Sequence, residues 1–265
     1  MKKELVILTW PDYINPLTID QFQIEFQIAV RSEIVPSAVE LIDRLRAAGP
    51  APDVLCPPDY AVRELRSEQR VLVLDHDRLP NLSHLEPRFR SGRAHDPANR
   101  VSIVKDWGTT GFMYRFDVVK ESPRSWQDFW NLACSAKYSG KVSLLDSPGE
   151  VIGAALKLRG RSYNAEDAES LQQARIDLLK LKPHLRAFET NYRPLLSSGD
   201  VYLALGWNGD AAALNAAGIS IHYVVPSEGS QFWEDDWAIA ANAPQPEAAH
   251  AFLNFVMQPN IAAQE

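Results

Sequence analysis

The opening quarter of the chain changes its hydrophobic period in the order strand, helix, strand, helix, strand, and this alternation restricts the fold more than any other feature. Leu5 to Thr9 is a short apolar strand, Leu17, Phe22 and Phe26 share one helical face, and Ile28 to Ile34 reads extended. The next helix is punctuated at both ends. Ser37 and Glu40 form an S-x-x-E capping box, Val39, Leu41, Ile42 and Leu45 make the apolar stripe, and Gly49 stops it. Asp53 to Cys56 is the following strand, closed by Pro57 and Pro58. Strands joined through helices have room for crossovers, so the pattern predicts an α/β fold with a largely parallel sheet and helices on its faces.

Further strands are expected at Val71 to Leu74, Val101 to Val104, Phe112 to Tyr114, Val142 to Leu145, Val201 to Leu205 and Ile219 to Val225. Helices are expected between them at Pro148 to Leu158, with Ser147 and Glu150 as a second capping box, at Asp167 to Leu181, and at Pro246 to Met257. At roughly 150 residues per domain, 265 residues make about two lobes. No Gly/Ser linker separates them, so they are joined without a flexible tether.

The charge balance removes whole classes of partner. Lys and Arg number 27 against 34 acids, a net charge of -7, and no basic block is present to track a phosphate backbone, which argues against nucleic acid. Cys56 and Cys134 are too few and too far apart for a disulfide framework or a zinc site. The apolar run Leu5 to Leu8 is far too short for a signal-peptide core or a membrane span, so neither is expected in this chain.

Several aromatic and acidic residues share one kind of position, directly after the carboxyl end of an expected strand, where open α/β sheets bind ligands. Trp10, Asp12 and Tyr13 follow the first strand, Tyr60 follows Asp53 to Cys56, and Glu150 follows Val142 to Leu145. Trp207 and Asp210 follow Val201 to Leu205, and Trp233 and Asp235 follow the turn after Val225. If these loops converge they form an aromatic box holding carboxylates. Such a box suits an alkyl ammonium, because each ring face attracts a cation by about 0.5 to 2 kcal/mol and also covers methylenes. Structural readings stand beside several of them, and Trp10 and Trp207 also read as core aromatics. Glu150 at N3 also serves as a cap, Asp210 in Asn208-Gly209-Asp210 is also turn chemistry, and Asp235 between Glu234 and Asp236 also reads as a solvated acidic run. No G-x-S-x-G, P-loop or H-E-x-x-H motif is present, so no catalytic residue, cofactor or metal ligand is assigned. Carboxylates among tryptophans also describe a carbohydrate-active enzyme or a sugar-binding protein, which is the alternative from another class.

The segments Leu8-Thr9-Trp10-Pro11-Asp12-Tyr13-Ile14, Asp53-Val54-Leu55-Cys56-Pro57, Trp107-Gly108-Thr109-Thr110 and Leu205-Gly206-Trp207-Asn208-Gly209 resemble the spermidine/putrescine-binding proteins of bacterial polyamine ABC transporters. Leu79-Pro80-Asn81-Leu82, Tyr138-Ser139-Gly140-Lys141-Val142 and Ala249-His250-Ala251-Phe252-Leu253-Asn254-Phe255 extend the similarity, in order, over almost the whole chain. The resemblance implies a two-lobed periplasmic-binding-protein-like fold of type II, each lobe a mixed sheet flanked by helices, with the ligand cleft between the lobes. Residues 1–105 with 236–265 would form the first lobe and 106–235 the second, the second lacking a C-terminal segment. Trp10, Asp12, Tyr13 and Tyr60 would line the cleft from the first lobe, Glu150, Trp207 and Asp210 from the second, and Trp233 and Asp235 at the crossing.

What the resemblance implies for function is a non-catalytic, monomeric receptor outside the cytoplasm that hands a polyamine to a membrane ABC permease. Pro11 stands where the family usually has Ser or Thr, and Pro58 where Ser is common. Ser147 replaces an acid of spermidine-preferring members, whereas Asp210 matches an acid of putrescine-preferring ones, which tilts the expected ligand toward a diamine.

Overall fold

A computed structural model describes residues 4–265, so residues 1–3 of the expected first lobe lie outside the described residues. In chain order the elements are β1 (Glu4–Thr9), α1 (Pro16–Phe26), β2 (Ala29–Ile34), α2 (Ala38–Arg46), β3 (Val54–Leu55), α3 (Asp59–Ser67), α4 (Pro87–Arg90) and β4 (Ser102–Arg115). Then come α5 (Trp126–Ala133), β5 (Val142–Leu144), α6 (Pro148–Leu158), α7 (Ala168–Leu181), β6 (Leu185–Phe188), α8 (Arg193–Ser198) and β7 (Leu203–Trp207). The chain ends with α9 (Asn208–Ala216), β8 (Ile221–Val224), β9 (Gln231–Ile239), α10 (Pro246–Val256) and α11 (Pro259–Ala262). The described residues up to Trp107, with Glu234–Glu265, form one compact unit, and Gly108–Trp233 form another. Strands β4 and β9 each run from one unit into the other.

In the first unit β1 pairs in parallel with β2, from Glu4 opposite Ala29 to Thr9 opposite Ile34, and also with β3. β3 then meets β9 antiparallel, Val54 opposite Ile239 and Leu55 opposite Ala238. Its ladder is only two residues long because Pro57 and Pro58 bring no N–H to extend it. Leu5 and Ile7 pack with Phe22, Trp237, Phe252 and Phe255, while Leu8 packs with Leu41, Leu55 and Leu65. The sheet is therefore covered on both faces. Phe22 meets Phe252 and Phe255 edge to face at 5.1 and 5.5 Å.

In the second unit β4 pairs antiparallel with β7, Thr110 opposite Trp207 through Tyr114 opposite Leu203, and with β8. β5 lies parallel to both β6 and β7. Phe112, Trp126, Phe129, Tyr192, Leu203 and Leu205 are buried in its core.

Several expected boundaries move. Val71 to Leu74 forms no strand, only an isolated bridge from Val71 to Ala240. The strands expected at Val101 to Val104 and Phe112 to Tyr114 merge into one, β4, which begins at Ser102. Its middle carries exposed Asp106 and Trp107, so the backbone stays extended where the apolar period is interrupted. β7 lies two residues later than expected, which makes Trp207 its last residue. Trp233 and Asp235 sit inside β9 and not after a turn. α2 ends at Arg46, before Gly49, although the Ser37 box forms as expected, its hydroxyl accepting from the Glu40 N–H at 3.2 Å. The Ser147 hydroxyl makes no cap hydrogen bond, so the second box does not close. Among the described residues no helix is long and apolar enough to cross a membrane.

Candidate functional site

The chain leaves β1 through Trp10 and Pro11, and Asp12 takes a left-handed φ of +53°, a conformation Asp tolerates better than most residues. Asp12 itself is exposed, and its turn returns Tyr13 to the half-buried side. There the Tyr13 hydroxyl donates to Asp235 Oδ2 at 2.6 Å, and the Trp10 indole N–H donates to the same oxygen at 3.3 Å. Asp235 is held in place through its backbone. Its strand bridges to Pro58, and the Asp236 N–H donates to the Pro57 carbonyl at 2.9 Å. Burial pushes the Asp235 carboxyl up to about 6, helped by the Asp236 charge, and the two donors and Lys105 only partly offset it. Burial and the adjacent Asp235 charge push the Tyr13 phenol far up, so it remains a neutral donor. Tyr60 lies in the first turn of α3, with its ring exposed. Burial also raises the neighbouring Asp59 carboxyl, which accepts from the Tyr60 N–H at 2.6 Å.

Alternation along β9 sends Asp236 to the opposite face from Asp235, into a buried polar network. Arg93 Nη1 lies 2.5 Å from Asp236 Oδ1, while His95 Nε2 and the Ser102 hydroxyl lie 2.8 and 2.6 Å from Oδ2. His95, Glu234 and Asp236 place donor atoms within 4.8 Å of one another, a spacing that would suit a cation. The Arg93 guanidinium already supplies that charge, 3.2 Å from Glu234 Oε2. The network fixes the backbone from which Asp235 projects.

In the second unit Glu150 is the third residue of α6. Tyr163 donates its hydroxyl to Glu150 Oε2 at 2.7 Å. The Gln231 amide, oriented with its nitrogen toward the acid, reaches Oε2 at 2.7 Å and Oε1 at 3.2 Å. Gly153, one turn along α6, makes this possible: any Cβ there would overlap the Tyr163 ring. Asp210 is held differently. The buried Tyr192 hydroxyl donates to its Oδ2 at 2.7 Å and accepts the Trp207 N–H at 2.9 Å, with Arg193 3.6 Å away. Gly206 leaves the space that the Tyr192 ring fills. The Trp233 ring packs on Gly108, and its buried indole N–H has no partner among the described residues. Nearby, Asn208 accepts the Thr109 N–H at 2.9 Å, and Tyr223 joins the Thr109 hydroxyl at 2.9 Å. Burial pushes the Tyr223 phenol up to about 12, and Glu150 adds a smaller push.

Of the nine residues singled out from the sequence, Trp10, Tyr13 and Asp235 therefore meet within the first unit. Trp207 and Asp210 share the Tyr192 hydroxyl within the second. Asp12 and the ring of Tyr60 are exposed, and Glu150 is hydrogen-bonded by Tyr163, which the sequence did not single out. Tyr163 lies between α6 and α7, Gln231 opens β9 at its amino end, and Tyr192 follows β6, a strand the sequence does not announce, so the positional rule passes over all three. The one available signal was Gly153 inside an otherwise apolar helix, a hint that something large approaches closely.

The profile of the bacterial extracellular solute-binding proteins matches residues 18–264. The chain is 34% identical over 263 residues to the spermidine/putrescine-binding periplasmic protein of Escherichia coli K12, covering 98% of this chain and 74% of that one. It is 31% identical over 278 residues to the putrescine-binding periplasmic protein PotF of the same organism, covering 99% and 75%. Its structure is similar to that of the spermidine/putrescine ABC transporter substrate-binding protein PotD from Streptococcus pneumoniae, with a TM-score of 0.85 and 29% identity over 100% of this chain and 80% of that one.

Proposed function

The chain belongs to the bacterial extracellular solute-binding protein family, among its spermidine/putrescine-binding members, and from that premise we propose that it captures a linear polyamine, preferably a diamine, for a membrane ABC permease. The observation that carries this reading is Asp235. It is a half-buried carboxylate hydrogen-bonded by Tyr13 and Trp10, raised to about 6 by burial, and without an ion pair among the described residues. A protonated amine beside it relieves the desolvation cost and gains a charge-assisted hydrogen bond, which a neutral ligand does not. Glu150 and Asp210 supply further acids, each oriented by a tyrosine hydroxyl, with Trp207 and Trp233 nearby as apolar cover for methylenes. We assign Trp10, Tyr13, Asp235, Glu150, Trp207, Asp210 and Trp233 to ligand binding, with Asp12 and Tyr60 as exposed accessory positions. The protein works outside the cytoplasm, as its family does, and catalyses no reaction.

Calorimetry with putrescine, cadaverine, spermidine, spermine and a panel of mono- and oligosaccharides tests the assignment. Binding of at least one polyamine, weakening as salt rises, is expected because exposed charges are screened beyond a Debye length of about 8 Å at physiological salt. Binding of a sugar with no response to polyamines would overturn it in favour of a sugar-binding protein.

A further inference from the structure

An ammonium group is already in place among the aromatic rings of the first unit. The Lys105 side chain is 4% exposed, with Nζ 3.3 Å from Glu265 Oε2. The same Nζ lies 4.1 Å from the Tyr13 ring centroid and 5.5 Å from that of Trp237. Tyr13 therefore carries an internal cation on its ring face while its hydroxyl is bound to Asp235. Glu265 is fixed independently of the lysine, since its Oε1 accepts from the Thr18 hydroxyl at 2.5 Å and the Asn15 N–H at 3.3 Å.

Two of the local acids have cationic partners within the chain. Asp236 faces Arg93, Glu265 faces Lys105, and Asp235 is left without an ionic partner among the described residues. We propose that Lys105 is a specificity residue: by filling an aromatic ammonium position from within the chain and cancelling Glu265, it withholds one acid beside Tyr13 from ligand nitrogen and so favours diamines over triamines. The inference rests on the polyamine reading above and adds to it the residue that limits ligand charge. A ligand with more protonated nitrogens does not gain Glu265 as a partner and meets the like charge of Lys105. A diamine meets the same repulsion with fewer charges.

The test is the ratio of spermidine to putrescine affinity, measured by calorimetry on wild type and three variants. Lys105→Met keeps most of the apolar stem and uncovers Glu265, so the ratio should rise by about tenfold or more, a change of about 1.4 kcal/mol, with a steeper salt dependence. Lys105→Met combined with Glu265→Gln removes both charges and should return the ratio to the wild-type value. Glu265→Gln alone leaves the lysine uncompensated and should lower the ratio, which gives an independent reading if Lys105→Met fails to fold. An unchanged ratio in Lys105→Met, or an equal rise in the double variant, overturns the role of Lys105 while leaving polyamine binding intact. No polyamine binding by wild type overturns both.

Discussion

Replacing Asp235 by Asn separates the cost of this carboxylate from its use. The side chain keeps its size and an oxygen to accept from the Tyr13 hydroxyl and the Trp10 indole, now 2.6 and 3.3 Å from Oδ2. What disappears is the charge. The carboxyl is raised from 3.8 to about 6, roughly two pH units, and each unit is worth about 1.4 kcal/mol, so ionising it in the folded state costs about 3 kcal/mol. The sign follows from linkage. A raised folded value means the folded state holds the proton longer, so stability is full below about pH 4 and is lost as pH rises through about 6. The groups that set this value are the burial itself, Tyr13, Trp10, Asp236 and Lys105, and the substitution leaves them all in place. Ligand-free Asp235→Asn should therefore match wild type near pH 4 and exceed it by about 2 to 3 kcal/mol at pH 7, read from urea titrations of both proteins across that range. Its polyamine affinity should fall by about 2 to 5 kcal/mol, because the ligand ammonium loses its charged partner. Wild-type affinity should itself weaken as pH falls through about 6, by up to about tenfold per unit for one proton. An Asn variant that is equally destabilised at pH 4 and pH 7 and binds like wild type would refute the reasoning.

Other perturbations probe the remaining groups. Glu150→Gln retains an acceptor for Tyr163 but removes the charge, so melting temperature should hardly move while polyamine affinity drops by more than about tenfold in a calorimetric titration. Gly153→Ala forces the Tyr163 ring away from Glu150, and both thermal stability and affinity should fall together, separating it from the charge-only variant. Arg93→Met leaves Asp236 charged, buried and short of its ion pair, and should cost about 3 to 5 kcal/mol of stability in chemical denaturation.

The elements that could be read from the sequence are those whose side chains carry the period of a packed face. β1, α1, α2 and α10 bury apolar side chains in the clusters on the two faces of the first unit's sheet, so hydrophobic spacing and structure coincide, and β2 pairs beside them with half-buried residues at most. β4 and β9 behave differently because they leave one core and enter another. In passing, they expose Asp106 and Trp107 on β4 and place three acids, Glu234 to Asp236, in succession on β9. The apolar period breaks there although the backbone remains extended, which is why β4 reads as two strands and β9 as a loop.

The same break accounts for what was visible of the site. The positional rule singles out Asp235 as lying after a turn, whereas it lies inside β9; an acid between two acids carries no sign of burial, and the opposite fates of the neighbours come from alternation along a strand that the sequence does not announce. Asp236 turns inward to Arg93, His95 and Ser102 and is neutralised within the protein; Asp235 turns the other way, where the donors among the described residues, Tyr13 and Trp10, are neutral. One buried ion pair thus anchors the strand, while the adjacent carboxylate has no ion pair among the described residues. The division requires both acids: Asp236 ties β9 to Arg93, His95 and Ser102, and in the polyamine reading proposed above Asp235 is the charge that a ligand amine answers.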